Sequence, residues 1–352
     1  MNELVSIGIA LYNNKPYLKR CLDSVIGQSY KNIEILVIDD GSNDNPETIL
    51  DNYFNDHRLK YIKKENDGLS SSRQLALDNA KGRFICFIDA DDYISKDYVK
   101  DFVEKISNNN ATIAICGTRF ENENGEYLTK LSENYSRFFK EKLTIISKEL
   151  LKHNLCYLLE HYLMSDSWNK MYDVSMLKKA AITFSLPKGF NGSDLLFNHK
   201  VMLHSPSIIA FNKQNYYHVI YSKSAVHRKN KKLFEGFKII YMQLVKEAKK
   251  CNLLNETKQQ MDGIYLGFVR LIVQDIYNEE KVSLLAKNKK IKVIMEESSF
   301  YCKKYHINIS SACVNTKSMI IFKFLWNYNY SLFLVIYLSL RNLLLLLLNK
   351  KH

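Results

Sequence analysis

Residues 84–92 read Phe84-Ile85-Cys86-Phe87-Ile88-Asp89-Ala90-Asp91-Asp92. The apolar front of this stretch has no polar alternation, which is the pattern of a strand buried on both faces. It stops abruptly at three carboxylates within four positions. Like charges that close repel one another and resist desolvation, so the cluster needs compensation. Two sources are open. One is a solvated acidic turn that caps the next helix. The other is a divalent cation, a hard ion that takes oxygen ligands and can in turn hold a diphosphate.

Upstream, Val5–Leu11 reads as a first strand, and Asn14 followed by Pro16 opens a helix carrying Leu18, Leu22, Val25 and Ile26. A second strand, Ile33–Ile38, ends in Asp39-Asp40-Gly41-Ser42. A helix through about 46–55 and an extended piece, Leu59–Ile62, come next. Ser70 or Ser71 caps a helix that reaches Ala80, with Gly82 as its left-handed stop. Downstream lie a helix at 96–107 and a strand at Thr112–Cys116. Strands alternating with helices at this spacing predict an α/β fold, a doubly wound, mostly parallel sheet flanked by helices. Ligands of such sheets sit outside the carboxyl ends of the strands. Asp39-Asp40 and Asp89–Asp92 then share one edge and face one crevice.

After residue 120 the alternation fades, and 147–163 read as helical. Trp168-Asn169-Lys170-Met171-Tyr172 stands out, as does Gly192-Ser193-Asp194 at the start of another helix. From about 230 the chain reads as helices with lysine-rich faces. The expected division is a nucleotide-binding and catalytic domain at 1–225, a basic helical region at 226–330 and an apolar tail at 331–352.

The chain's 352 residues allow two units, and 46% apolar with 25% charged residues is a globular balance. Seven cysteines without CxxC or regular spacing point to reduced thiols in the cytoplasm rather than a disulfide framework. The start has no basic flank or cleavage site, so it is read as strand and not as a signal peptide. Formal charge is +13, and between Lys223 and Lys250 nine Lys or Arg oppose two acids, Glu235 and Glu247. A solvated helix face, an anionic membrane surface or a phosphorylated substrate each accounts for that stretch. With no RNA- or DNA-binding signature beside it, nucleic acid is not an expected partner. Leu332–Leu348 is nearly all apolar but broken by Ser339, Arg341 and Asn342. An arginine at mid-bilayer costs about 2.5–3.5 kcal/mol, so a helix lying in the interface fits better than a spanning one. Phe322, Phe324, Trp326, Tyr328 and Tyr330 precede it like an interfacial belt. A buried C-terminal helix or an oligomer interface is the alternative.

In this order the motifs resemble the family 2 glycosyltransferases, which have the GT-A fold. The resemblance runs from Val5 to about His227 through Val5–Asn13, Ile38–Asp44, Asn66-Asp67-Gly68-Leu69-Ser70 with Arg73, Phe87–Tyr93, Trp168-Asn169-Lys170 and Ser193-Asp194. It implies an inverting, metal-dependent sugar transfer from a nucleotide sugar, UDP-linked, to a hydroxyl, and the Lys223–Lys250 charge with the Leu332–Leu348 tail suggests a glycan or lipid-linked oligosaccharide acceptor in surface polysaccharide synthesis. The enzyme would be peripheral on the inner face of the cell membrane. By resemblance, Ala10, Tyr12 and Asp39 or Asp40 contact the base and ribose, with Asn66 and Gly68 beside them, and Arg73 pairs with phosphate. Asp89-Ala90-Asp91 is the DxD element, in which Asp91 binds Mn²⁺ or Mg²⁺ and Asp89 faces the ribose or a metal-bound water. His218 or His227 stands near a late residue that touches the diphosphate or metal. Asp194 is the general base. Trp168 offers a face to the acceptor sugar, with Asn169 and Lys170 as polar contacts.

Two positions depart from the family pattern. Ser193 replaces a usual glutamate, which removes any role of that first carboxylate, and Gln74 stands where asparagine is frequent. Each candidate also has a plain structural reading: a turn for Asp39-Asp40, an ion pair for Arg73, a cap for Asp194, core packing for Trp168 and the histidines. Two rivals complete the picture. An aspartyl-phosphate phosphatase would need its nucleophile on the first strand, and Tyr93 occupies the place of the usual Thr or Val. A degenerate scaffold would not be expected to keep Asp89, Asp91, Arg73 and Asp194 together. No GxGxxG, GxxxxGK[ST] or HExxH occurs, which excludes nicotinamide, P-loop and zincin readings.

Overall fold

The computed structural model describes residues 2–129, 132, 143–147, 165–190, 192–221, 233–279, 282–312, 314, 317–327, 331 and 336–339. Described residues up to Tyr221 belong to one compact unit, and those from Leu233 onward to a second.

The first unit is built on β1 (Val5–Leu11), β2 (Ile33–Asp39), β3 (Leu59–Lys63) and β4 (Phe84–Asp89), side by side in the order β3-β2-β1-β4. All three pairings are parallel, with Leu11 opposite Asp39 and Ala10 opposite Asp89. The chain winds outward from β1 to β3 and returns to β1's other side as β4. That reversal opens a crevice at the carboxyl ends. Apolar side chains cover the sheet: Ile7 and Ile9 of β1 share a core with Leu18 and Leu22 of α1 (Lys15–Ile26) and with Val99 and Phe102 of α4 (Tyr98–Asn109). Between them, α2 is only Glu47–Leu50 and α3 is Leu69–Asn79.

Beyond β4 the sheet is mixed. β8 (Lys170–Asp173) inserts antiparallel between β4 and β6 (Ile113–Asn122). β9 (Ser207–Ile220) is parallel to β6, with a register shift around Gly117. β5 (Tyr93–Ile94) and β7 (Leu143–Ser147) pair antiparallel with β9. The expected parallel character therefore holds among the first four strands and between β6 and β9, and the remaining pairings are antiparallel. The described part of this unit also holds α5 (Val174–Lys179) and α6 (Ser193–His204).

Several local expectations are corrected. Helix α3 starts at Leu69 behind Gly68 at φ 89°, with no serine side chain capping it. Gly82 is not a left-handed stop, because the helix leaves through Ala80 in extended backbone (φ −65°, ψ 124°). A Cβ at Gly82 would lie 2.7 Å from the Ser6 nitrogen and 2.8 Å from the Leu4 carbonyl oxygen, so close approach to β1 explains the glycine. Ser147 closes β7 rather than opening a helix, and 148–163 lie outside the described residues, as do His227, the basic residues 222–232 and most of the apolar tail.

The second unit holds α7 (Leu233–Lys250), α8 (Leu254–Tyr277), α9 (Leu284–Tyr305) and α10 (Lys317–Asn327). Phe237 stacks on Phe268 at 4.2 Å, and Tyr241 donates to buried Asp262 at 2.8 Å. Among the described residues no helix is long and apolar enough to cross a membrane.

Candidate functional site

The crevice begins where β1 and β2 end. Ala10 is half-buried there and Tyr12 is 46% exposed. Asp39 is fully buried: it accepts from the Ser42 backbone N–H at 2.8 Å and from the Tyr61 hydroxyl at 2.6 Å. The first bond closes the turn that Gly41 makes at φ 74°. Asp40 clasps the next loop. It accepts from the backbone N–H groups of Asp67 at 2.9 Å and Gly68 at 2.8 Å, from the Asn66 amide at 3.1 Å, and from Lys64. Both carboxylates thus shape the crevice through backbone they hold. Asn66 is held in turn, its carbonyl accepting from Lys188 at 2.6 Å.

Arg73, on α3, is the centre of the site. Its guanidinium donates to Asp89 at 2.6 Å and to Asp194, at the start of α6. Burial acts to lower the Arg73 pKa, but the Asp194 and Asp89 carboxylates outweigh it and raise the group above its ordinary value. Asp194 also accepts from the Ser167 backbone N–H at 3.1 Å and the Ser167 hydroxyl at 2.9 Å. A hydrogen bond of 2.6 Å from Ser70 to Ser193 fixes the starts of α3 and α6 together. Ser193, which replaces the expected acid, is thereby a link between helices.

The acidic turn after β4 divides its labour. Ala90 is buried in the core. Asp92 is fully buried and accepts from Tyr216 at 2.7 Å, from the Val219 N–H at 2.9 Å and from His218 Nδ1 at 2.9 Å. It anchors β9. Asp91 makes no side-chain bond to another described residue; its backbone carbonyl accepts from Arg20 at 2.9 Å and Tyr221 at 3.1 Å. Burial, then the Asp92 and Asp89 charges, push the Asp91 carboxyl up to about 7. Burial works to lower His218, but Asp92, then Asp166 and Asp89, push it up to about 9. Asp91, Asp89 and His218 thus carry the oxygen and nitrogen donors of this end of the crevice, of the kind a divalent cation takes.

The three acceptor candidates are interior. Trp168 stacks on Tyr216 at 4.5 Å and on His218 at 5.1 Å. Asn169 and Lys170 are fully buried, and the Lys170 ammonium donates to the Asn169 side chain at 2.7 Å and to the Asp166 carbonyl. Burial pulls Lys170 down to about 8 against the pull of Asp166 and Asp194. Sequence reasoning missed Ser167 and Tyr216. Ser167 carries only its place beside Trp168, and Tyr216 only its place two residues before His218.

A family model described as Glycosyl transferase family 2 matches residues 6–179. EpsH of Bacillus subtilis (strain 168), named as a glycosyltransferase, is 30% identical over 262 residues, which are 73% of each chain. Glycosyltransferase GlyA of Streptococcus pneumoniae serotype 4 is 33% identical over 220 residues, 61% of this chain but only 30% of GlyA. Among solved structures, S. aureus TarS 1–349 in complex with UDP-GlcNAc aligns with a TM-score of 0.64 at 20% identity, covering 88% of this chain and 82% of that one. The same protein in complex with UDP gives 0.60 at 23% identity, covering 83% and 80%. The sheet and its flanking helices have the GT-A type of fold that these structures share. This chain belongs to glycosyl transferase family 2.

Proposed function

We propose that this enzyme moves a sugar from a UDP-linked donor to a hydroxyl of a membrane-borne glycan, inverting the anomeric carbon in one displacement, with Mn²⁺ or Mg²⁺ as cofactor. One observation carries the reading: the Arg73 guanidinium joins Asp89, at the donor end of β4, to Asp194. Donor-side acid and candidate base then lie within the span of a single side chain. The TarS structures with UDP and UDP-GlcNAc support the choice of nucleotide.

Asp91 and His218 are the candidates for holding the divalent cation. No other described residue engages the Asp91 side chain, and His218 is oriented by a carboxylate on its Nδ1, the arrangement that presents an imidazole's other nitrogen to a metal. When bound, the cation holds the diphosphate and neutralises charge on the departing nucleotide. Ala10 and Tyr12 line the base slot, and Asp39 and Asp40 hold its floor. Asp194 takes the acceptor's proton. A carboxylate has about four acceptor sites. Arg73 and the two Ser167 donors occupy three of them, leaving one for the acceptor hydroxyl. The basic stretch and apolar tail support an acceptor at the membrane; deleting 332–352 should move the protein out of the membrane fraction.

Thermal unfolding with UDP, with and without Mn²⁺, tests the reading. Metal-dependent stabilisation of about 2.7 kcal/mol is expected at a hundredfold excess over Kd. Asp91→Asn should remove the metal dependence and turnover of a UDP-sugar panel while leaving the fold intact. Equal stabilisation by UDP in excess chelator would sink the metal assignment, and no stabilisation at all would favour a scaffold.

A further inference from the structure

The outer face of α9 carries a pattern that the transfer reaction does not use. Leu285, Val293 and Phe300 are 79%, 54% and 69% exposed, large apolar side chains left in water. Lys289, Lys292, Lys303 and Lys304 are exposed as well, and none forms an ion pair among the described residues. At 100° per residue these seven positions and Glu296 fall on an arc of about 120°. The opposite arc holds Ile291, Met295, Ser298 and Tyr301, all buried. The outer stripe runs about 28 Å from Leu285 to Lys304.

We infer that this face of α9 lies flat on an anionic lipid surface. Interleaved lysines and apolar side chains are what an interfacial helix needs: the stems bury with the apolar groups while the ammonium heads reach headgroup phosphate. Charge decides between occupants. A second copy packed symmetrically on this face would set the four lysines against the same four lysines, and lysine is depleted from the cores of protein interfaces. A leaflet carrying anionic headgroups complements all of them. Helix α10 adds Ile320, Ile321 and Phe324, also exposed, just ahead of the apolar tail. The inference rests on the proposal that the acceptor is membrane-borne, and it names the face that docks.

Cosedimentation of the full chain with vesicles tests it, using phosphatidylcholine alone and an equimolar mixture with phosphatidylglycerol. Binding should require phosphatidylglycerol and weaken with salt. Each lysine removed should weaken partitioning roughly fivefold. The quadruple variant Lys289→Gln, Lys292→Gln, Lys303→Gln, Lys304→Gln should therefore lose at least about a hundredfold. Leu285→Ser with Val293→Ser and Phe300→Ser should also release the chain, with an unchanged circular dichroism spectrum. If both variants stay bound while deletion of 332–352 releases the protein, the face is wrong and the membrane reading stands. Absence of binding to anionic vesicles overturns both. A dimer in solution that these variants dissociate would assign the face to a second copy instead.

Discussion

Arg73 is the residue on which both sides of the crevice depend. Its side chain is 2% exposed and pairs with Asp89 and Asp194 at once. Removing the cation would leave two carboxylates facing each other in a poorly hydrated place, and breaking such a buried pair costs about 3–5 kcal/mol. Arg73→Ala should therefore lower the urea midpoint sharply. A stability change under about 0.5 kcal/mol, the size of an ordinary surface substitution, would show that the bridge holds nothing. Asp194→Asn asks a different question, because the amide keeps the shape and most hydrogen bonding but cannot take a proton. Turnover should vanish while UDP still binds in a titration; surviving turnover would remove Asp194 as the base. Arg73→Lys should also fail, since a point charge cannot reach two carboxylates as a planar fork does.

At the scale of elements, the sequence was most legible where one physical rule acts alone. β1, β2 and β4 are buried on both faces, so each is a nearly continuous apolar run, broken only by Ser6 and Glu34, which bond each other at 2.6 Å, and the carboxylates that end β2 and β4 were readable as one edge. β8 was not legible as a strand: its four residues, Lys170–Asp173, include a fully buried lysine that strand patterns do not anticipate. β9 was hidden by its exposed Asn212 and Lys213 beside the register shift. Asp92 looked like one more member of an acidic cluster, although three donors from β9 make it an anchor. Gly82 shows the same failure, since a local helix-stop rule was applied where a distant strand sets the requirement. Gly82→Ala should cost about 1–3 kcal/mol by overpacking against β1, although its backbone dihedral suits alanine. If melting is unchanged, the close approach of Leu4 and Ser6 is not what keeps glycine there.

For the molecule as a whole, acid stability depends on a buried histidine that shares a helix with Asp194 but takes no part in its hydrogen bonds. His199 is fully buried on α6, and neither ring nitrogen has a hydrogen-bond partner among the described residues. Burial alone pulls its pKa down to about 3 from 6.5. The unfolded chain therefore binds a proton first as pH falls. The stability this group contributes is whole above about 6.5 and drains away towards pH 3, at a slope near 1.4 kcal/mol per pH unit. The parent protein will not display that slope cleanly. Asp91, raised to about 7, works in the opposite sense, because its folded form keeps a proton that the unfolded chain loses above about 4. The difference between parent and His199→Leu isolates the histidine. Urea midpoints taken from pH 4 to 7 (roughly the window between the two His199 values) should show the variant gaining on the parent steadily as pH falls. Near neutrality the variant should be at least as stable, since leucine fills similar space without two unpaired polar atoms. A constant difference across the range would mean that His199 finds a proton partner in the folded protein, and the burial argument would fail with it.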